Sequence, residues 1–513
     1  VPYPGHPYAQ THPAFLSALA VLFGMNPPPV ARCRVLELGC GNGANLIPMS
    51  DQLPGSTFVG IDTAAHQIAV GQATIAALGL PNISLRHEDI LDFQGDTVPF
   101  DYLIAHGVYS WVSAEVQERI LGLCREHLSP NGIAYISYNT YPGWHLLTMV
   151  REMMRSHTRD SDDPGEQVAK ALAFLDFLGE SVPPEQQAYG DLLRVYRDFL
   201  KRKREQDEVW GHAFILHDEL AEINTPLYFS QFVERATSHG LHYLAETDLP
   251  GMLPMNLPPH TAATLGTLAN HLIDTEQYLD FLRGRTFRET LLCRATVRLD
   301  RSLTPRRLAA LCIASPARPV SSSPDLSSTA SETFQLPGGE GIGLGHPLSK
   351  ATMVHLANLW PRAVAFPDLV AAARLRLTRP PSPSAEEEAE AATGEVSVSA
   401  RDEQIVAANL LKMATYSTRL LRLSTHPPAI PPPLSHSSFP TARPLARLQA
   451  REQRWATSLL HERVRLDERQ RVLLPYLDGT RDRAALLEAL GEGWSLEDLE
   501  HQIRWLEHSA LLV

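Results

Sequence analysis

The chain has 513 residues, 44% of them hydrophobic, enough apolar material for several cores and for about three or four domains. Lys plus Arg number 45 against 58 Asp plus Glu, so the formal charge of −13 excludes a general electrostatic pull toward nucleic acid or an anionic membrane and leaves only a local basic patch open. The five cysteines, Cys33, Cys40, Cys124, Cys293 and Cys312, are scattered and never form a CxxC pair, which argues against a disulfide framework or a zinc site and fits a reducing, cytoplasmic setting.

No apolar run reaches the roughly 18 residues needed to span a bilayer, so no membrane insertion is expected. The stretch from Ala14 to Met25, "AFLSALAVLFGM", has no preceding Lys or Arg and reads as a helix rather than a signal-peptide core. From Arg34 onward, short apolar strands alternate with helical stretches: "RVLELG", "STFVGID", "ISLRHEDI", "FDYLIAHG" and "GIAYISYN". That alternation predicts a parallel, doubly wound α/β sheet. From Glu152 to about Leu216 the pattern turns helical and charged, including "KRKR" at Lys201 to Arg204, and an α-rich segment is expected from there to Arg294. Between Thr296 and Leu377 a glycine-turned hairpin, "TFQLPGGEGIGL", precedes an amphipathic helix ended by Pro361, and suggests a winged-helix-like unit. The Pro, Ser and acidic bias from Arg379 to Ser397 reads as a linker, the Pro-rich stretch from His426 to Pro444 as extended chain, and the remainder as helices. The expected division is 1–151, 152–294, 295–378, a linker at 379–398, and 399–513.

"VLELGCGNGANL", residues 35 to 46, is a strand that stops at a glycine-rich turn and restarts as a helix, which frees backbone N–H groups for a ligand. Gly39, Cys40, Gly41 and Gly43 formally satisfy a dinucleotide pattern, a weak signal by itself. The acids around the loop discriminate better. Glu37, two positions before the first glycine, would repel a pyrophosphate and attract a cationic amino group. Asp62, ending the second strand, suits ribose hydroxyls, and Asp89 with Ile90 after the third suits an adenine. Three acids at successive strand ends are the pattern of S-adenosylmethionine sites in class I methyltransferases, which this segment resembles. After the fourth strand, His106 is a lining group or a base, and Tyr109 and Trp111 are active-site aromatics or core. After the fifth come Tyr138, Asn139, Tyr141 and Trp144, an aromatic wall able to steer a nucleophile toward a sulfonium. Upstream, Tyr3, Tyr8, Thr11 and His12 lie on a segment that either folds over the cofactor as a lid or pads the sheet.

"THPAFLSALAVLFGMNPP", "AHGVYSWV", "SYNTYPGW" and "LHDELAEINTPLYFSQFVERA", together with the glycine loop, resemble the methyltransferases that carry a methyltransferase regulatory domain, best known as rickettsial protein lysine methyltransferases acting on surface proteins. The resemblance implies a Rossmann-like catalytic domain followed by a helical middle domain and by winged-helix-like and helical C-terminal domains. It also implies S-adenosylmethionine as cofactor and a lysine-containing protein acceptor. The residues themselves leave open a small-molecule or glycan methyltransferase and a non-catalytic cofactor sensor. No nucleic-acid partner is expected.

Overall fold

The computed structural model describes residues 5–378, 400–431 and 438–513. Tyr3 and the expected linker at 379–398 lie outside the described residues. The five strands read from the sequence form at Arg34–Leu38 (β1), Thr57–Asp62 (β2), Ile83–His87 (β3), Phe100–Ala105 (β4) and Leu128–Asn139 (β5). They pair in parallel in the order β3-β2-β1-β4-β5. β1 and β4 are buried almost continuously, as strands covered on both faces are. Local chemistry sets the flanking helices. His12 Nδ1 accepts from the Ala14 N–H at 3.2 Å and caps Pro13–Leu22, which starts on proline, where the missing N–H costs nothing. Ser113 caps Ala114–His127, with Glu115 in its first turn and Arg125 and His127 in its last.

The sheet does not end at β5. Leu241–Glu246 (β6) and Phe287–Arg294 (β7) join it antiparallel, giving β3-β2-β1-β4-β5-β7-β6. The expectation of an α-rich segment up to Arg294, separate from the strands before 151, is therefore corrected: β7 inserts between β5 and β6. A buried ion cluster holds it there. Arg288 of β7 bonds Glu246 at 2.8 Å, Glu276 at 3.1 Å and Asp280 at 2.9 Å, and lies 3.8 Å over the ring of Phe229.

Two further corrections concern the C-terminal half. The strand Arg422–Ser424 pairs with Cys312–Ala314, and the helix Ala400–Tyr416 packs into the same apolar core as the helix Pro347–Leu359, so no boundary falls at 399. A separate core forms from residues between Ala442 and Leu512, where helices surround the two-stranded wing Trp455–Thr457 and Arg463–Arg465. Two of the "KRKR" cations have partners within the chain: Lys201 pairs with Asp176 at 2.7 Å, and Lys203 Nζ sits 4.5 Å over the Trp210 ring.

Candidate active site

In a parallel sheet, ligands bind beyond the carboxyl ends of the strands, at the point where strand order reverses. Here that point lies between β1 and β4. Gly39 and Gly41 both adopt positive φ, +71° and +54°. A Cβ on Gly39 would strike Val108 at 2.4 Å, whereas one on Gly41 would meet nothing within 4 Å, so Gly41 offers bare backbone to open space. The Gly41 N–H donates to Asp62 Oδ2 at 2.8 Å, and Asp62 Oδ1 accepts from the Ala64 N–H at 2.8 Å. Asp89 stands exposed past β3 with Ile90 buried beside it, and its Oδ1 accepts from the Leu91 N–H at 2.9 Å. Gly43 packs on Leu85, and Cys40 is buried, which pushes its thiol upward.

Glu37 is buried at the end of β1, and that burial, with Asp62 nearby, raises its carboxyl to about 8 against the pull of a hydrogen bond from Asn45. Asn45 is the hub of this end of the site. Its Nδ2 donates to Glu37 Oε1 at 2.8 Å and to Thr11 Oγ1 at 3.0 Å. Its Oδ1 accepts from the Tyr8 N–H at 3.0 Å and meets His461 Nε2 at 2.8 Å. The N-terminal segment carrying Tyr8, Thr11 and His12 is thus fastened over the β1 loop.

A second network starts at His106, just past β4. Its Nδ1 lies 2.7 Å from the Tyr135 hydroxyl, which donates to Glu289 Oε1 at 2.9 Å. Gln10 Nε2 donates to the same oxygen at 2.8 Å, and Thr247 Oγ1 to Glu289 Oε2 at 2.5 Å. Because Tyr135 spends its proton on Glu289, its oxygen takes the Nδ1–H of His106, which leaves Nε2 as a lone pair. Burial, with His6 nearby, lowers the imidazole to about 3 and keeps it neutral. The Tyr8 ring lies 3.7 Å from it, centroid to centroid. Glu289 also borders a cavity of about 620 Å³ between Gln10–Phe15, Trp360–Ala363 and Leu459–Glu462.

Other sequence-nominated residues stand apart from these networks. Tyr138 is buried and stacked on Phe232 at 4.1 Å, its hydroxyl 3.2 Å from Thr290 Oγ1. Tyr109 is fully buried, edge-on to Phe232 at 5.4 Å. Both rings pack in the core that joins β5 to the helix Phe229–Ser238. Asn139 is buried, with its Nδ2 donating to Asn224 at 2.9 Å, and half-buried Trp111 meets Trp144 edge-on at 6.1 Å. Sequence reasoning missed Asn45, Tyr135, Glu289 and His461. Asn45 and Tyr135 lie inside the quoted stretches but carried no local distinction, and the other two are remote in sequence from the glycine loop.

Three families match the chain: Methyltransferase domain over residues 35–132, Predicted methyltransferase regulatory domain over 211–294, and PKMT C-terminal winged helix domain over 439–503. An uncharacterized protein of Rickettsia prowazekii is 30% identical over 495 residues, covering 96% of this chain and 84% of its own length. The chain belongs to the class I S-adenosylmethionine-dependent methyltransferases that carry a methyltransferase regulatory domain. A second protein of the same organism is 38% identical over 236 residues, which are 46% of this methyltransferase and 92% of that protein. The solved structure of PKMT2 from Rickettsia typhi in complex with AdoHcy (S-adenosylhomocysteine) superposes with a TM-score of 0.82 at 28% identity over all of both chains. The winged helix match falls at 439–503, not in the hairpin-bearing stretch 295–378 where the sequence suggested one. The regulatory match holds β6 and β7, so it completes the catalytic sheet.

The residues fit S-adenosylmethionine. Glu37 Oε2 is buried without a hydrogen-bond partner, an acceptor suited to the cofactor's amino group. Gly41 leaves open space at the loop, and Asp62 holds its carboxylate there through two backbone bonds.

Proposed function

We propose that this methyltransferase modifies lysine side chains of a protein acceptor in the cytoplasm. The observation that carries the reading is the His106–Tyr135–Glu289 network, which holds a neutral imidazole with its Nε2 lone pair available at the end of β4. When bound, S-adenosylmethionine supplies an electrophilic methyl on a sulfonium. The chain's own task is to present a nucleophile in line and without its proton. A lysine has a reference pKa of about 10.4, so at neutral pH only about one in 10³ to 10⁴ is the free amine. His106 Nε2 accepts a hydrogen bond from the amine and orients its lone pair, and the Tyr8 and Phe287 rings flank the imidazole at 3.7 Å and 6.2 Å between centroids. The resemblance to rickettsial protein lysine methyltransferases supports the same acceptor class. So does the large share of the chain that lies beyond the glycine-loop half of the sheet, more than a small substrate needs for enclosure. Among the described residues no helix is long and apolar enough to cross a membrane.

The test is incubation of the protein with isotopically labelled S-adenosylmethionine and a total lysate, followed by mass spectrometry. Methyl-lysine in protein bands is expected. Label confined to small metabolites favours a small-molecule or glycan acceptor, and no label anywhere favours a cofactor sensor; either result overturns the proposal.

A further inference from the structure

The loop at Ser458–Arg463 of the C-terminal unit reaches into the catalytic half of the molecule. It is anchored by Arg463, which pairs with Asp207 at 2.8 Å, and by the Leu459 N–H, which donates to the Ala510 carbonyl at 2.8 Å, while Arg443 elsewhere in the same unit pairs with Asp51 at 2.7 Å. At its tip His461 is buried and has φ +59°, one of two non-glycine residues with positive φ among the described residues. Left-handed backbone is uncommon outside glycine, although histidine adopts it more readily than most residues, and at a buried position it persists where the surroundings impose it.

Backbone donors define the tautomers here. The Tyr8 N–H can only donate, so the Asn45 atom it meets is the oxygen, and His461 Nε2 must therefore donate to that same oxygen. His461 Nδ1 is then a lone pair. The Ala14 N–H likewise makes His12 Nδ1 an acceptor, so His12 Nε2 carries the hydrogen. Three atoms in this neighbourhood are buried without a hydrogen-bond partner: His461 Nδ1, an acceptor, Glu37 Oε2, an acceptor once a cation holds the carboxyl ionised, and His12 Nε2–H, a donor. The two imidazole rings lie 5.3 Å apart, and Asn45 bonds both His461 and Glu37 at 2.8 Å. Buried polar atoms left this way cost folding free energy unless a partner arrives.

We propose that His461 and His12 are cofactor-binding residues that, with Glu37, hold the zwitterionic amino-acid end of S-adenosylmethionine, so that the C-terminal unit completes the cofactor site. Glu37 Oε2 and His461 Nδ1 accept from the α-ammonium, and His12 Nε2–H donates to the α-carboxylate. Binding and the docking of the C-terminal loop are thereby coupled, each strengthening the other.

The test is calorimetric titration of the full-length protein with two probes. S-adenosylhomocysteine has the amino-acid end, and methylthioadenosine lacks it. His461→Gly removes the ring and relieves the left-handed backbone, and His12→Asn retains a side-chain hydrogen-bonding group. In His461→Gly the affinity for S-adenosylhomocysteine should fall at least tenfold while that for methylthioadenosine stays within twofold. Hydrogen exchange of wild type should show slower exchange across residues 455–465 on adding S-adenosylhomocysteine but not methylthioadenosine. Equal loss for both probes, or unchanged affinity for S-adenosylhomocysteine in both variants, overturns the proposal. This outcome is independent of acceptor identity.

Discussion

The Tyr135 hydroxyl donates to Glu289 across 2.9 Å and 154 residues of sequence, and through that bond a side chain of β7 determines which nitrogen of His106 carries the proton. Tyr135→Phe and Glu289→Gln should therefore lower turnover by about 10²-fold, the scale expected when a group that orients the nucleophile is misplaced. The affinity for S-adenosylhomocysteine should stay within about twofold of wild type, because neither residue touches the Glu37 end of the site. Single-turnover kinetics beside calorimetry checks the split; a parallel loss of both would mean the network is only structural.

Arg288 is fully buried among Glu246, Glu276 and Asp280. Removing one partner of a buried ion cluster leaves the others uncompensated, which costs about 3–5 kcal/mol. Arg288→Met should shift the chemical-unfolding midpoint accordingly, and Arg288→Lys should recover only part of it, since an ammonium cannot reproduce the guanidinium fork. Because Glu289 is the next residue, turnover should fall in both.

Asp218 and Glu219 lie on a π-turn, Ile215–Glu219. Burial, then the neighbouring Glu219, raises Asp218 to about 8, and burial raises Glu219 to about 7. Acids with folded values above their unfolded ones contribute stability at low pH that is lost as pH rises through the folded value. Asp218→Asn should therefore gain stability relative to wild type progressively between about pH 4 and pH 8. Unfolding midpoints at pH 5 and pH 8 measure this, and a constant difference would refute it.

A fragment of residues 1–151 contains β1 to β5 but lacks β7, the strand that covers the edge of β5. That edge and the Tyr138 ring would face water, and exposed strand edges invite association. The fragment should show no cooperative thermal transition by circular dichroism and should aggregate, whereas the full chain melts cooperatively.

The succession of β1 to β5 along the chain, the glycine loop and the positions of Glu37, Asp62 and Asp89 at or just past strand ends were legible in the sequence, because alternation and turn chemistry act over a few neighbouring residues. His106 was legible for the same reason, as the residue just past β4. Only the tertiary structure decided that β6 and β7 close the catalytic sheet, since β5, the strand that β7 pairs with, ends well over a hundred residues before β7 begins and the intervening helices hide the pairing. It also decided that Tyr109 and Tyr138 pack against Phe232, because an aromatic at a strand end reads alike whether it faces a ligand or another element. The bond between Asn45 and His461 spans 416 residues. No period, spacing or propensity encodes such a contact; it exists because the folded units bring two buried polar groups together, each requiring a partner.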